Sequence, residues 1–185
     1  MTIKAHPTFY KGIRFRSRLE AKWAAFFDQI RWDWTYEPLD LKGYTPDFIL
    51  TFPHELLAVE VKPELTHEQL NTYTPKIEKS GWQHDVLLVG ARLFEANYWD
   101  CASVGLLGEH YRAADGEPGG FTWGHGLVFE CQGWHGYGVC HEIGSYHCRH
   151  CGAYDGNPPI LREDQDGLKA LFKAASNITQ WRPEK

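Results

Sequence analysis

Long apolar runs are absent from this chain of 185 residues, and their absence excludes a helical membrane span. The opening stretch MTIKAHPTFY lacks the apolar core of a secretory signal, so a cytoplasmic location and no membrane partner are expected. Internal repeats and low-complexity tracts are also missing, which argues against solenoid and disordered architectures. Positive charge is not in excess: the formal net charge is −5, so the overall balance does not announce a nucleic-acid binder. What is present is globular, with 43% hydrophobic residues and eight tryptophans, enough for one good core and an appendage.

The charge is unevenly spread. Residues 1–22 carry six cations (Lys4, Lys11, Arg14, Arg16, Arg18 and Lys22) against Glu20 alone, a local balance of +5 that leaves −10 for the remainder. Such a basic edge could hold a phosphate backbone, with strong salt dependence, or could be an ordinary solvated face.

Two short apolar runs carry the chemistry. Pro46-Asp47 opens Phe48-Ile49-Leu50, and Glu60-Val61-Lys62 closes Leu56-Leu57-Ala58-Val59. Side chains alternate along a strand, so Glu60 and Lys62 share a face while Val61 turns into a core. Aspartate is disfavoured inside strands, and charges at the ends of apolar runs suggest a cleft. Two carboxylates and an ammonium on one face suit Mg²⁺ or Mn²⁺ with a charged partner for a phosphate.

The surrounding pattern is legible too. Ser17-Arg18-Leu19-Glu20 opens a helix with apolar positions Leu19, Trp23, Phe26, Phe27 and Ile30. Trp32–Tyr36, Thr45–Phe52 and Leu56–Lys62 read as strands, Thr66–Lys79 as a helix interrupted at Pro75, and Asp85–Gly90 as a short buried strand. Motif and element order together resemble the PD-(D/E)XK nuclease superfamily over about residues 8–90. The resemblance implies an α/β fold with a restriction-endonuclease-like core, an α-β-β-β-α-β mixed sheet.

It further implies Asp47, Glu60 and the Val61 backbone carbonyl as ligands of the catalytic ion, and Lys62 beside the attacking water. Glu20 matches a further acid on the first helix of many members. It is equally the third residue of a capping box opened by Ser17, and both roles are compatible. Gln69 and Tyr73 match a Q-x-x-x-Y motif of RecB-like members, and with Lys11, Arg14, Arg16 and Arg18 they complete the candidate DNA contacts. The Phe-Arg-Ser-Arg-Leu-Glu stretch is similar to phage-encoded and transposon endonucleases. That suggests a homodimer, or a subunit of a recombination, restriction or transposition complex.

Beyond residue 95 the composition turns to Gly, Cys and His. Cys131, Cys140, Cys148 and Cys151 cluster, and Cys148-x-x-Cys151-Gly152 resembles a zinc knuckle, with Cys131 and Cys140 on a preceding hairpin. His135, His141, His147 or His150 could replace one thiolate. An iron–sulfur cluster is the alternative to structural Zn²⁺, although all five cysteines follow the expected core instead of flanking it. A redox dithiol lacks its usual following helix, and a disulfide does not suit a cytoplasmic chain. Cys101 is expected to be a buried thiol.

The organisation expected is therefore a core over residues 1–95, a zinc-binding β-rich extension over 96–160, and a C-terminal helix and tail over 161–185. The function expected is Mg²⁺-dependent DNA endonuclease. The alternative is a non-catalytic zinc-stabilised module that binds nucleic acid or protein on an inactive nuclease fold.

Overall fold

The computed structural model describes residues 6–40, 44–95, 102–112, 119–131, 136–141, 148–152, 161–162 and 164–180. A hairpin, β1 (Thr8–Tyr10) and β2 (Ile13–Phe15), precedes helix α1 (Arg18–Gln29). Strands β3 (Asp33–Tyr36), β4 (Phe48–Thr51) and β5 (Leu56–Val61) form an antiparallel meander. Two short helices follow, α2 (His67–Asn71) and α3 (Thr74–Glu78), then β6 (Val86–Glu95), which returns parallel to β5. The helical stretch is interrupted at Pro75 as expected, because proline lacks an amide hydrogen and sits in the first turn of a new helix instead of continuing the first. The remaining elements are β7 (Ala102–Tyr111), β8 (Gly120–Cys131), β9 (Gly136–His141), β10 (Leu161–Arg162) and α4 (Gln165–Ile178).

The result is a mixed α/β fold on one curled mixed sheet. Its strands run β3-β4-β5-β6-β7-β8, and both β9 and the two-residue β10 pair with β8. The expected boundary at residue 95 falls between paired strands, since Glu95 lies opposite Ala102. The sequence predicts β-rich structure here but no bounds for β7 and β8, because their glycines mask the alternation. One of those glycines is required: Gly105 sits at φ +148 in a bulge, where a Cβ would lie 1.8 Å from the Leu88 carbonyl oxygen.

Alternation along the strands assigns the two faces. Phe48, Leu50, Leu57, Val59, Val61, Leu87 and Val89 point to one side, where α1 and α4 cover them. Trp23 and Phe26 of α1 meet Phe172 of α4 at ring-centroid distances of 4.8 and 5.2 Å. Each such fully buried apolar side chain is worth about 1.5–3 kcal/mol. Ile49, Ala58, Val86, Leu88 and Leu106 point to the other side and pack with Leu70 of α2, Ile77 of α3 and Tyr44. Curling brings the two ends of the sheet together, and the Trp32 indole donates to the Tyr137 carbonyl at 2.7 Å. The C-terminal helix forms as expected, with Asp164 at its N-cap accepting from the Gly167 amide at 3.0 Å. Among the described residues no helix is long and apolar enough to cross a membrane.

Candidate active site and metal centre

At one end of the sheet a cavity of about 470 Å³ is lined by Arg16, Glu20, Tyr44, Asp47, Glu60, Val61, Lys62 and Lys76 among others. All four acid and lysine positions picked from the sequence therefore meet in one place. The register explains why. Phe48 pairs with Val59, so the next position brings Asp47 opposite Glu60 on the neighbouring strand. Strand β4 begins only at Phe48, later than the sequence suggests. Pro46 has no amide to donate, and the Asp47 carboxylate takes the Val61 amide at 2.7 Å in place of a main-chain ladder bond. Lys62 lies one residue past β5, on the same side as Glu60, and its ammonium contacts that carboxylate.

Glu20 reaches the cavity from the first turn of α1. The Ser17 hydroxyl caps the Glu20 amide at 3.1 Å, as a capping box requires. The Glu20 carboxylate closes the motif one residue early, accepting from the Arg16 amide at 3.1 Å. It also accepts from the Tyr36 hydroxyl at 2.6 Å and from the Ser17 hydroxyl at 2.8 Å. Cap and cavity wall are thus one side chain, and the contact to Glu20 pushes the half-buried Tyr36 phenol, already raised by burial, up to about 12.

Electrostatics single out this cavity. Glu20, Asp47 and Glu60 are 8%, 4% and 6% exposed. Burial first, and then the Glu60 and Glu20 charges, push the Asp47 carboxyl up to about 7, against the opposing pull of the Val61 amide and Lys62. Oε2 of Glu60 is buried without a hydrogen-bond partner. A cluster of buried carboxylate oxygens, one of them unsatisfied, is a donor set that fits a hard divalent cation. In the structure two side-chain cations serve it: Lys62 on Glu60, and Arg16 on Asp47 and, at 2.8 Å, on Glu37.

The other positions picked as DNA contacts divide. Arg14 and Arg18 are exposed near the cavity's helix. Lys11 pairs with Asp28 at 2.8 Å and Arg16 faces the carboxylates, so neither is a free basic surface. Gln69 is occupied as a cap: its side-chain oxygen accepts from the Leu65 and Thr66 amides at 3.0 and 3.2 Å. The Tyr73 hydroxyl donates to Glu64 at 2.7 Å, while its ring lies 5.2 Å from the Lys62 ammonium. Tyr44 and Lys76, which line the same cavity, were not marked by the sequence. Tyr44 stands three residues before Asp47, and only its closeness to that motif could have raised it.

A second centre lies at the opposite end of β5. Cys131, at the end of β8, has its sulfur 3.6 Å from those of both Cys148 and Cys151, and all three lie within 4.8 Å of one another. Thiolates bound at about 2.3 Å around tetrahedral zinc stand about 3.8 Å apart, whereas a disulfide draws its sulfurs to about 2.05 Å. Three thiols in this arrangement could hold a metal such as zinc. The turn has the expected form: Gly152 sits at φ +70 and its amide bonds the Cys148 carbonyl at 2.9 Å. Burial opposes ionisation of Cys148. The Cys151 and His150 amides and the neighbouring thiols more than offset it and hold this thiol below its ordinary value.

The fourth expected ligand, Cys140, does not join them. It pairs with Leu127, four positions along the ladder from the Cys131–Gly136 pair, or about 13 Å. It packs with Leu127 and Phe129 instead. Of the histidines offered as substitutes, His150 stacks edge-on against Phe52 at 4.6 Å, and His141 lies beneath Gly124. His135, His147 and Cys101 lie outside the described residues.

Sequence reasoning also missed Arg149, between the two cysteines of the turn. It is fully buried, paired with Glu55 at 2.8 Å and Glu109 at 3.8 Å, in contact with Asp85, and donates to the Val139 carbonyl at 3.0 Å. The cysteine turn is thereby locked to the β4–β5 turn and to the start of β6. Glu55 just precedes β5 and Glu60 lies near its far end, about 17 Å further along the strand. No protein-family model, curated protein or solved structure matches this chain.

Proposed function

We propose that this chain is a metal-dependent DNA endonuclease of the PD-(D/E)XK kind, working at the Glu20–Asp47–Glu60–Lys62 cavity. The observation that carries the reading is the burial of three carboxylates beside one lysine, with a Glu60 oxygen lacking any donor. The order α1-β3-β4-β5-α2/α3-β6, with β5 and β6 parallel, supports it. Asp47 and Glu60 would hold Mg²⁺ or Mn²⁺, with Glu20 and the Val61 carbonyl as further oxygens. The bound ion would supply Lewis acidity and an acidified water. Lys62 then orients that water or steadies charge on the phosphate, an electrostatic role that a half-buried ammonium fills well. Arg14, Arg18 and Lys76, all exposed, supply cations for the backbone of the duplex.

At the far end, Zn²⁺ on Cys131, Cys148 and Cys151 is structural. It fastens a loop-rich segment to the sheet through the turn that Arg149 anchors. The test is incubation of purified protein with supercoiled, linear and single-stranded DNA in Mg²⁺, Mn²⁺ or chelator. Metal-dependent cutting that falls at least about 100-fold in both Asp47→Ala and Lys62→Ala is expected. Binding without cutting, unchanged in both variants, would instead indicate a binding module.

A further inference from the structure

Inside the same cavity one side chain is unexplained by the scheme above. Tyr44 is 3% exposed, and its ring belongs to the apolar cluster of Ile49, Ala58 and Ile77. Its hydroxyl is buried with no hydrogen-bond partner. A buried unpaired hydroxyl costs about 1–3 kcal/mol, so one facing a cavity calls for an explanation. Among the described residues lining the cavity one other buried oxygen is unpartnered, Oε2 of Glu60. The two are chemically complementary: a phenol lacks an acceptor and a carboxylate lacks a donor.

Lys62 holds the other Glu60 oxygen, so Glu60 is fixed at one end only. A carboxylate oxygen has two lone pairs, so Oε2 can accept from a hydroxyl and still face a cation, and that second hydrogen bond limits the rotation that would spread it over unproductive geometries. No other uncharged donor near Glu60 lacks a partner among the described residues lining this cavity. Tyr44 is well suited because its ring is anchored in the core while the residue lines the same cavity as Glu60.

We propose that Tyr44 is a positioning residue: its hydroxyl donates to Glu60 and orients that carboxylate for a divalent cation. The inference rests on the metal-cavity reading above. The hydroxyl makes no hydrogen bond in the structure, so it should contribute nothing to stability in the absence of added ion. Its contribution should emerge with the ion.

The test is Mn²⁺ titration calorimetry on wild type, Tyr44→Phe and Glu60→Gln, in magnesium-free buffer without DNA, with urea unfolding of each metal-free protein beside it. Tyr44→Phe keeps the packed ring and removes only the hydroxyl. Its Mn²⁺ affinity should fall about 10-fold or more, within the range known for partners of metal ligands. Its unfolding midpoint without Mn²⁺ should equal or exceed that of wild type. Wild-type affinity in Tyr44→Phe, with affinity lost in Glu60→Gln, overturns the role of Tyr44 and leaves the cavity reading standing. A lowered unfolding midpoint in metal-free Tyr44→Phe also overturns it, since the hydroxyl would then have a partner already. Failure of the wild type to bind Mn²⁺ overturns the cavity reading and this inference together.

Discussion

Asp47→Asn should make the metal-free protein more stable while abolishing the metal-dependent cutting proposed for this cavity. The carboxyl is raised from 3.8 to about 7 by burial and by the charge of Glu60. Holding it ionised above pH 7 therefore opposes folding by about 4 kcal/mol at most. Asparagine removes that charge yet keeps an oxygen for the Val61 amide, which now bonds Asp47 at 2.7 Å. The substitution forfeits the ion pair with Arg16, whose side chain is 58% exposed, so about 1 kcal/mol or less is lost there. The balance is a gain of about 2–3 kcal/mol at pH 8.

The pH dependence follows from the direction of the shift. Between about pH 4 and 7 the native state binds a proton that the unfolded chain has released, so wild-type stability falls as pH rises through that window. The advantage of the asparagine variant should accordingly be present in full at pH 8 and nearly vanish at pH 4, the lower end of that window. Urea unfolding in buffer free of Mg²⁺ and Mn²⁺ reads this directly, as a midpoint higher by roughly 1 M at pH 8 for a slope of about 2 kcal/mol per M. A variant less stable than wild type at pH 8, or a difference equal at both pH values, would refute the reasoning.

Three more outcomes are expected. Purified protein should carry about one equivalent of zinc by elemental analysis, lost in Cys131→Ser, Cys148→Ser and Cys151→Ser but retained in Cys140→Ser. Retention in all four variants would remove the thiol centre. Arg149→Leu should lower stability by about 3–5 kcal/mol in urea unfolding, because Glu55, Asp85 and Glu109 would lose their shared buried cation. A loss below about 1 kcal/mol would show that these acids are solvated without it. Arg16→Ala should tighten Mn²⁺ binding up to about 5-fold by calorimetry, since an exposed ion pair competes only weakly with an ion for Asp47. Unchanged or weaker binding would mean that Arg16 does not compete there.

The carboxylate cavity was legible because its information is local. Asp47, Glu60 and Lys62 stand at the ends of apolar runs only a dozen residues apart, and a period of two assigns them to faces without any knowledge of the rest of the sheet. Glu20 followed from the cap that starts α1. The thiol centre was half legible for the same reason. Cys148 and Cys151 are placed by one turn, but the choice between Cys131 and Cys140 depends on the register of β8 against β9. Residues two to four positions apart in that hairpin look equivalent in the sequence and stand many ångströms apart in the ladder.

Tyr44 and Arg149 were illegible because each depends on burial by distant elements. A tyrosine before a Pro-Asp pair and an arginine in a cysteine turn read as surface residues until β5, β6 and β7 close over them. Their burial also links the two ends of the molecule. Arg149 fixes the β4–β5 turn, β5 carries that constraint along its length, and Glu60 emerges at the other end opposite Asp47. Loss of the thiol centre should therefore reach the cavity through the register of β4 against β5. No ligand needs to be shared between the two sites for that coupling.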